Sequence, residues 1–189
     1  DAKTGIISVV AGNGIRGFGG NGGPAVAAMM SYPSGVAIDD KGNIFIADAE
    51  NGSIRRVDAK TGIINSLIGD TPPGQKHEQG TPSLRGLFVN PYSIVYDGKG
   101  NLYVGDSYLE RVKKVEIATL KVTVTAGAEA NKTRQGYCGD DGPANAACLS
   151  QPGGVAIDKA GNLYIADINN NRIRRVDART KIMTTIAGT

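Results

Sequence analysis

Apolar and polar positions alternate along this chain in three similar passages. In the first, short apolar runs at Gly35 to Asp39, Asn43 to Asp48, Ser53 to Asp58 and Ile63 to Ile68 are rich in Ile and Val and bounded by Asp, Asn, Lys and Gly. Such runs predict strands, and Asp40 to Asn43 has the Asp and Gly of a tight hairpin turn. The second passage repeats the pattern at Ser93 to Asp97, Asn101 to Asp106, Arg111 to Glu116 and Lys121 to Ala126. The third has it at Gly154 to Asp158, Asn162 to Asp167, Arg172 to Asp177 and Lys181 to Ala187. Long loops precede the passages at Asn13 to Tyr32, Asp70 to Asn90 and Ala128 to Gln151, and Pro24 to Met30 suits one or two helical turns. One more β-branched run, Ile6 to Gly12, predicts an additional strand ahead of the first loop.

The passages are copies of one unit. The words from Asn43 to Ile63 return almost unchanged at Asn162 to Ile182, with a worn copy at Asn101 to Val115. Equivalent aspartates Asp48, Asp106 and Asp167 are spaced by 106 − 48 = 58 and 167 − 106 = 61 residues. That period fits a four-stranded antiparallel meander with one extended loop. Continuous apolar runs such as Gly154 to Ile157 mean that both faces of each sheet are covered. Wedges stacked face to face about an axis provide that cover. The expected fold is therefore all-β, with three four-stranded antiparallel units and one extra N-terminal outer strand. Its divisions fall at residues 1–12 (outer strand of a preceding unit), 13–69, 70–127 and 128–189. Asp1 to Ile6 repeats the string at Asp58 to Ile63, which suggests a portion of a longer repeat array.

These residues resemble a known family. The pattern P-x-G-V-A-I-D-x-x-G-N-[IL]-[FY]-I-A-D-x-x-N-x-x-I-R-R-V-D at Pro33 to Asp58 and Pro152 to Asp177 is similar to the NHL repeat of β-propellers. The middle copy, Pro91 to Glu116, departs at Tyr96, Gly105 and Leu109. The loop pattern at Gly17 to Ala28 and Gly136 to Ala147 resembles a bacterial branch of that family. The resemblance implies a ring of six or so blades, of which this chain holds three. Further blades of a parent chain, or a second copy, would complete it.

Composition changes the picture little. Lys and Arg total 21 against 18 Asp and Glu, a net charge of +3, which by itself does not imply nucleic acid. No apolar run approaches the roughly 18 residues of a membrane-spanning helix. The two cysteines, Cys138 and Cys148, share one loop and stand in register with Gly19 and Met29 of the first loop. Two thiols gained together predict a disulfide, and hence an extracellular or periplasmic location.

Several candidates for chemistry recede under inspection. Gly12 to Gly17 spells GxGxxG, but hairpin strands follow where a dinucleotide site needs a βαβ unit. Asp48, Asn51, Asp106, Asp167 and Asn170 recur at one turn, which favours a structural role through bonds to the following backbone. Asp140 and Asp141 are the residues a calcium ion would meet, yet the loop lacks the usual ligand spacing, so no cofactor is expected. Arg55 and Arg56, Lys113 and Lys114, and Arg174 and Arg175 recur on the third strand. Alternation splits each pair between two faces, so no basic stripe for RNA forms, and the stems are expected to carry their charges to water. His77 is the single histidine, whereas the resemblance to metal-dependent propeller lyases and hydrolases implies a set of them. The expected function is thus a non-catalytic binding or structural module of a secreted propeller. Its alternatives are a portion of a propeller enzyme whose histidines lie in other blades, and RNA binding. In an up-and-down meander the long loops and the turns after the second strands share one end, where binding residues concentrate. Arg16, Phe18, Tyr32, Lys132, Arg134 and Tyr137 are the candidates for contacting a protein or glycan there.

Overall fold

A computed structural model describes residues 3–69, 87–128 and 136–188. The first sheet contains β1 (Gly23–Pro24), β2 (Pro33–Ile38), β3 (Ile44–Asp48), β4 (Ser53–Val57) and β5 (Ile63–Gly69), in the order β1-β5-β4-β3-β2. The second contains β6 (Pro91–Tyr96), β7 (Asn101–Asp106), β8 (Arg111–Glu116) and β9 (Val122–Ala126), in sequence order. The third contains β10 (Pro152–Ile157), β11 (Leu163–Asp167), β12 (Arg172–Val176) and β13 (Met183–Ala187), also in sequence order. Every neighbouring pair is antiparallel. The helical run predicted in the first loop shrinks to a single 3-10 turn at Ala25–Ala27, matched by another at Ala144–Ala146.

The sheets stack as blades. Phe45, Ala47, Ile54 and Ile68 of the first blade meet Ile94, Leu102, Val104 and Val115 of the second in one buried cluster. Val112, Ala126 and Tyr103 of the second meet Leu163, Ile165, Val176 and Met183 of the third in another. Alternation along each strand makes this two-sided burial work, since Phe45 and Ile46, or Leu102 and Tyr103, face opposite neighbours. At the inner rim β2 and β6 approach so closely that a Cβ on Gly35 would lie 3.1 Å from the Ile94 nitrogen and the Tyr92 oxygen. Ser34 Oγ donates to the Pro91 carbonyl across the same seam.

Ile6 to Val10, expected as a strand, belong to none of the strands of the structure and lie exposed. The anchoring just after them is nonetheless that of an outer strand. Gly12 N donates to Ala25 O and Asn13 N to Ala28 O, as Gly127 N and Ala128 N do to Ala144 O and Ala147 O after β9.

Candidate binding face

One ionic arrangement is built into the first and third blades. Arg55 on β4 and Asp48 at the end of β3 stand seven residues apart, as do Arg174 and Asp167, and all four side chains are fully buried. Arg55 Nη1 lies 3.3 Å from Asp48 Oδ2 and Arg174 Nη1 lies 3.1 Å from Asp167 Oδ2. The rest of each guanidinium grips the preceding long loop. Arg55 donates to the carbonyls of Gly19 and Met29 and to Asn21 Oδ1. Arg174 donates to the carbonyls of Cys138 and Cys148 and twice to Asp140 Oδ1. Planar donors in a fixed fork suit several acceptors at once. The two charges are therefore paired and largely satisfied, which is what burial demands.

The expectation that these stems carry their charges to water is corrected here. Of each third-strand pair, one arginine reaches the surface: Arg56 and Arg175 are half-buried and pair with Asp58 and Asp177. The other turns under the loop and is sealed from solvent. A bulge stands at that point in all three blades, between Ile54 and Arg55, Val112 and Lys113, and Ile173 and Arg174. Bulges re-aim side chains and free a backbone group, and in the third blade the released Thr185 N–H donates to Asp140.

The second blade uses lysine. Lys113 Nζ donates to the Leu87 carbonyl and sits 5.1 Å from the centre of the Phe88 ring. Burial lowers its pKa, opposed by the attraction of Asp106. Asp106 spends its oxygens on the backbone N–H groups of Val89, Asn90, Tyr108 and Leu109. Burial likewise pushes the Asp48 carboxyl above its usual value, against donors from Asn51, Ser31 and Arg55, and pulls Arg55 down.

These aspartates hold the incoming loop as well as the turn. Asp48 accepts from Ser31 N at 2.7 Å and Asn51 Nδ2 at 2.9 Å; Asp167 accepts from Ser150 N at 2.7 Å and Asn170 Nδ2 at 2.9 Å. Asn51 Nδ2 also donates to Gly17 O. Ala49 N donates to Tyr32 O, Ser107 N to Asn90 O and Asn169 N to Ser150 O, so each long loop ends against its own blade's second turn. The last residues of the long loops thus share an end with the second turns. The middle of the first loop, Gly22 to Ala25, bonds Gly62 to Ile64 where β5 begins, and Asp141 and Ala144 of the third bond Met183 and Lys181 where β13 begins.

Of the six candidate contact residues, Lys132 and Arg134 lie outside the described residues, as does His77. Arg16 is exposed and pairs with Glu50 at 2.8 Å while donating to Ser31 Oγ. Ser31 Oγ itself donates to Glu50. Phe18 packs its ring 4.7 Å from the Arg55 guanidinium. Tyr137 lies against Arg172 at 3.8 Å and Arg174 at 4.8 Å, and its hydroxyl donates to Asp140. Those two rings therefore roof the buried arginines, a use of aromatic faces that cation–π attraction favours. Tyr32 is 63% exposed on a left-handed backbone (φ 54°), and Tyr108, absent from the sequence-based candidates, is 73% exposed on the neighbouring turn. Nothing in the spacing marks Tyr108, because it falls at a variable position of the repeat, two residues after Asp106.

The remaining candidates resolve locally. Three amides of the GxGxxG stretch are used inside its own loop, Gly12 N on Ala25 O, Asn13 N on Ala28 O and Gly17 N on Met30 O. Cys138 and Cys148 form a disulfide. Asp140 commits both oxygens to Arg174, Tyr137 and Thr185. Among the described residues, no group of three or more His, Cys, Asp or Glu is placed to hold a metal. No helix among them is long and apolar enough to cross a membrane.

Comparison with known proteins agrees with the blades. The chain is 32% identical over 179 residues to Arabidopsis thaliana Protein SUPPRESSOR OF QUENCHING 1, chloroplastic, covering 92% of this chain and 16% of that protein. It is 32% identical over 165 residues to Bos taurus NHL repeat-containing protein 2, covering 82% and 22% respectively. It thus spans under a quarter of either relative. A solved Bacteroides thetaiotaomicron protein of unknown function superimposes with a TM-score of 0.60 at 24% identity, covering 82% of this chain and 35% of that one, a likeness of fold. The family model of the Teneurin NHL domain matches residues 7–83 and 85–189, and with three stacked four-stranded blades behind that match, the chain belongs to the Teneurin NHL domain family of NHL-repeat β-propellers.

Proposed function

We propose that this chain is a non-catalytic binding and structural module of a secreted propeller, contacting a protein or glycan through its long-loop face. The observation that carries the reading is the way exposed side chains are mounted there. Tyr32 and Tyr108 stand out from turns in which the backbone N–H groups of Ser31 and Tyr108 donate to Asp48 and Asp106, and the Arg16 side chain is held by Glu50. Rigid aromatic groups of this kind lose little entropy on contact and dominate interface energetics. A disulfide in the third long loop favours an oxidising compartment, extracellular or periplasmic. The reading of the chain as part of a propeller enzyme gains no histidine set from the described residues.

The test is capture on the purified chain of proteins and glycans from its own extracellular medium, compared among three forms. Tyr32→Ser with Tyr108→Ser should weaken retention at least about tenfold, as loss of central aromatic contacts does. Lys41→Ser with Lys99→Ser, on the tight-turn end, should leave it unchanged. Equal retention by both variants would defeat the assignment of the loop face.

A further inference from the structure

Two residues before the proline that opens each inner strand, and two after the aspartate that closes each second strand, the blades carry matched pairs: Ser31 with Glu50, Val89 with Tyr108, and Ser150 with Asn169. In the first and third blades the pair is polar and bonded to itself. Ser31 Oγ donates to Glu50, which also holds Arg16 at 2.8 Å, and Asn169 Nδ2 donates to Ser150 Oγ at 3.4 Å. The middle blade has an apolar pair instead, and both members are open to solvent, Val89 at 41% and Tyr108 at 73%. One carboxylate holds them close together. Asp106 accepts from Val89 N at 2.8 Å, and from Asn90 N and Tyr108 N at 3.2 Å each. The spot lies inside the array, with a blade on either side. A Cβ on Gly52, in the first blade's turn, would stand 3.8 Å from the Val89 carbonyl oxygen. Glu110, two residues past Tyr108, has its Oε1 3.5 Å from Ser150 Oγ of the third blade.

We propose that Val89 and Tyr108 are the centre of the loop-face contact, and that the partner is a protein segment that lays an apolar side chain against them and a lysine or arginine beside Glu110. That partner uses the loop face proposed above, and its assignment rests on that reading. An exposed apolar pair ringed by polar groups has the anatomy of an interface hot spot. Its backbone mounts are already fixed on Asp106, so little order is lost when a partner arrives. The surrounding polar groups decide between a protein and a glycan. Sugar hydroxyls need well-placed donors and acceptors that are free to meet them. Here Arg16, Ser31 and Glu50 spend theirs on one another, Asn169 on Ser150, and Asp106 on backbone amides. What the spot offers is apolar area and one carboxylate. Glu110 is exposed and pairs with no cation among the described residues, so its complement is a positive charge next to the apolar anchor.

The probe is a library of random linear peptides displayed on phage and selected on the full chain, with a glycan array run alongside. Selected peptides should carry an apolar residue beside a lysine or arginine. Val89→Ser with Tyr108→Asn, which gives the middle blade the pair of the third, should bind them at least about tenfold more weakly. Tyr32→Ser should bind them unchanged. Glu110→Gln should weaken them about two- to fivefold at low salt, a difference that closes at high salt. These positions are all exposed, and circular dichroism checks that the variants fold. Peptides lost with Tyr32→Ser but kept by the Val89→Ser, Tyr108→Asn form would overturn the assignment and leave the loop face standing. Peptides kept by every variant would remove the loop face as well. Selection of no peptide, or glycans whose binding needs Val89 and Tyr108, would overturn the protein partner.

Discussion

Replacing Arg174 by methionine isolates the energy of the buried clamp. The change keeps much of the apolar stem and removes five hydrogen bonds, two to Asp140 and one each to Asp167, Cys138 O and Cys148 O. Not all of these losses count equally. Cys138 O keeps its bond from Cys148 N, and Asp140 keeps Tyr137 and Thr185. Asp167, fully buried, is left with Ser150 N and Asn170 Nδ2 and no cation. Removing one partner of a buried pair costs about 3–5 kcal/mol, and the orphaned Cys148 carbonyl adds about 1 kcal/mol. The expected loss is about 4–6 kcal/mol, or roughly 8–24 °C in Tm for a chain of this size. Arg175→Met, one residue along, removes only the half-exposed pair with Asp177 at 3.1 Å and should cost under about 0.5 kcal/mol. Adding Asp167→Asn to Arg174→Met should return about 2 kcal/mol by removing the stranded charge. Thermal and urea unfolding followed by circular dichroism reads all of these. Equal losses for the two arginine variants, or no recovery in the double variant, would refute the argument that the charge pair is what holds the loop.

Two other outcomes follow from the third blade. Reducing the Cys138–Cys148 bond, which spans a separation of 10 residues, should lower stability by about 3 kcal/mol while the blade stays folded. A Cys138→Ala, Cys148→Ala form should be insensitive to reductant, and a wild-type melting curve unmoved by reductant would count against it. Asp177 has its pKa lowered to about 2 by backbone N–H bonds from Thr180 and Arg179, the Thr180 hydroxyl and Arg175, against slight desolvation. Because the folded value lies below the ordinary 3.8, its contribution is present above about pH 4 and is lost as pH falls through about 2. Asp177→Ala should lower Tm at pH 6 and remove that part of the acid limb, so wild-type and variant curves that stay parallel down to pH 2 would sink the assignment.

The strands were legible because alternation, turn residues and repetition all pointed to one arrangement. Asn101–Asp106 and Arg111–Glu116 appear as predicted, the other strands of the three repeats shift by one or two residues at their ends, and the run Ile6 to Gly12 forms no strand. The buried arginines were only half legible. Alternation correctly sent Arg55 and Arg56 to opposite faces, but a charge on a strand reads as a surface residue when its partners are remote in sequence. Those partners are carbonyls at Gly19 and Met29, presented by a loop whose path no local pattern encodes. One signal was available. The constant spacing of seven in Asp48–Arg55, Asp106–Lys113 and Asp167–Arg174 pairs acid with base across a hairpin in every repeat. The register of Cys138 and Cys148 with Gly19 and Met29 carries the same information, since those four residues supply the gripped carbonyls.

The middle blade shows what the clamp requires and what it leaves free. Asp106 meets its needs with four backbone amides, and the cation beside it finds one carbonyl, Leu87 O, and one aromatic face, Phe88. A single ammonium suits so few acceptors among the described residues, whereas a five-donor guanidinium there would bury unsatisfied N–H groups at about 1–3 kcal/mol each. Where the loop offers two carbonyls and a side-chain oxygen, as at Gly19, Met29 and Asn21, the guanidinium is the better fit. The type of cation therefore follows the acceptors that the last turns of the loop bring down to the blade. What persists is a cation sealed between a strand-end aspartate and a loop carbonyl. Residues above that seal, Tyr32 and Tyr108 among them, are free to change with the partner they meet, because the blade's stability does not pass through them.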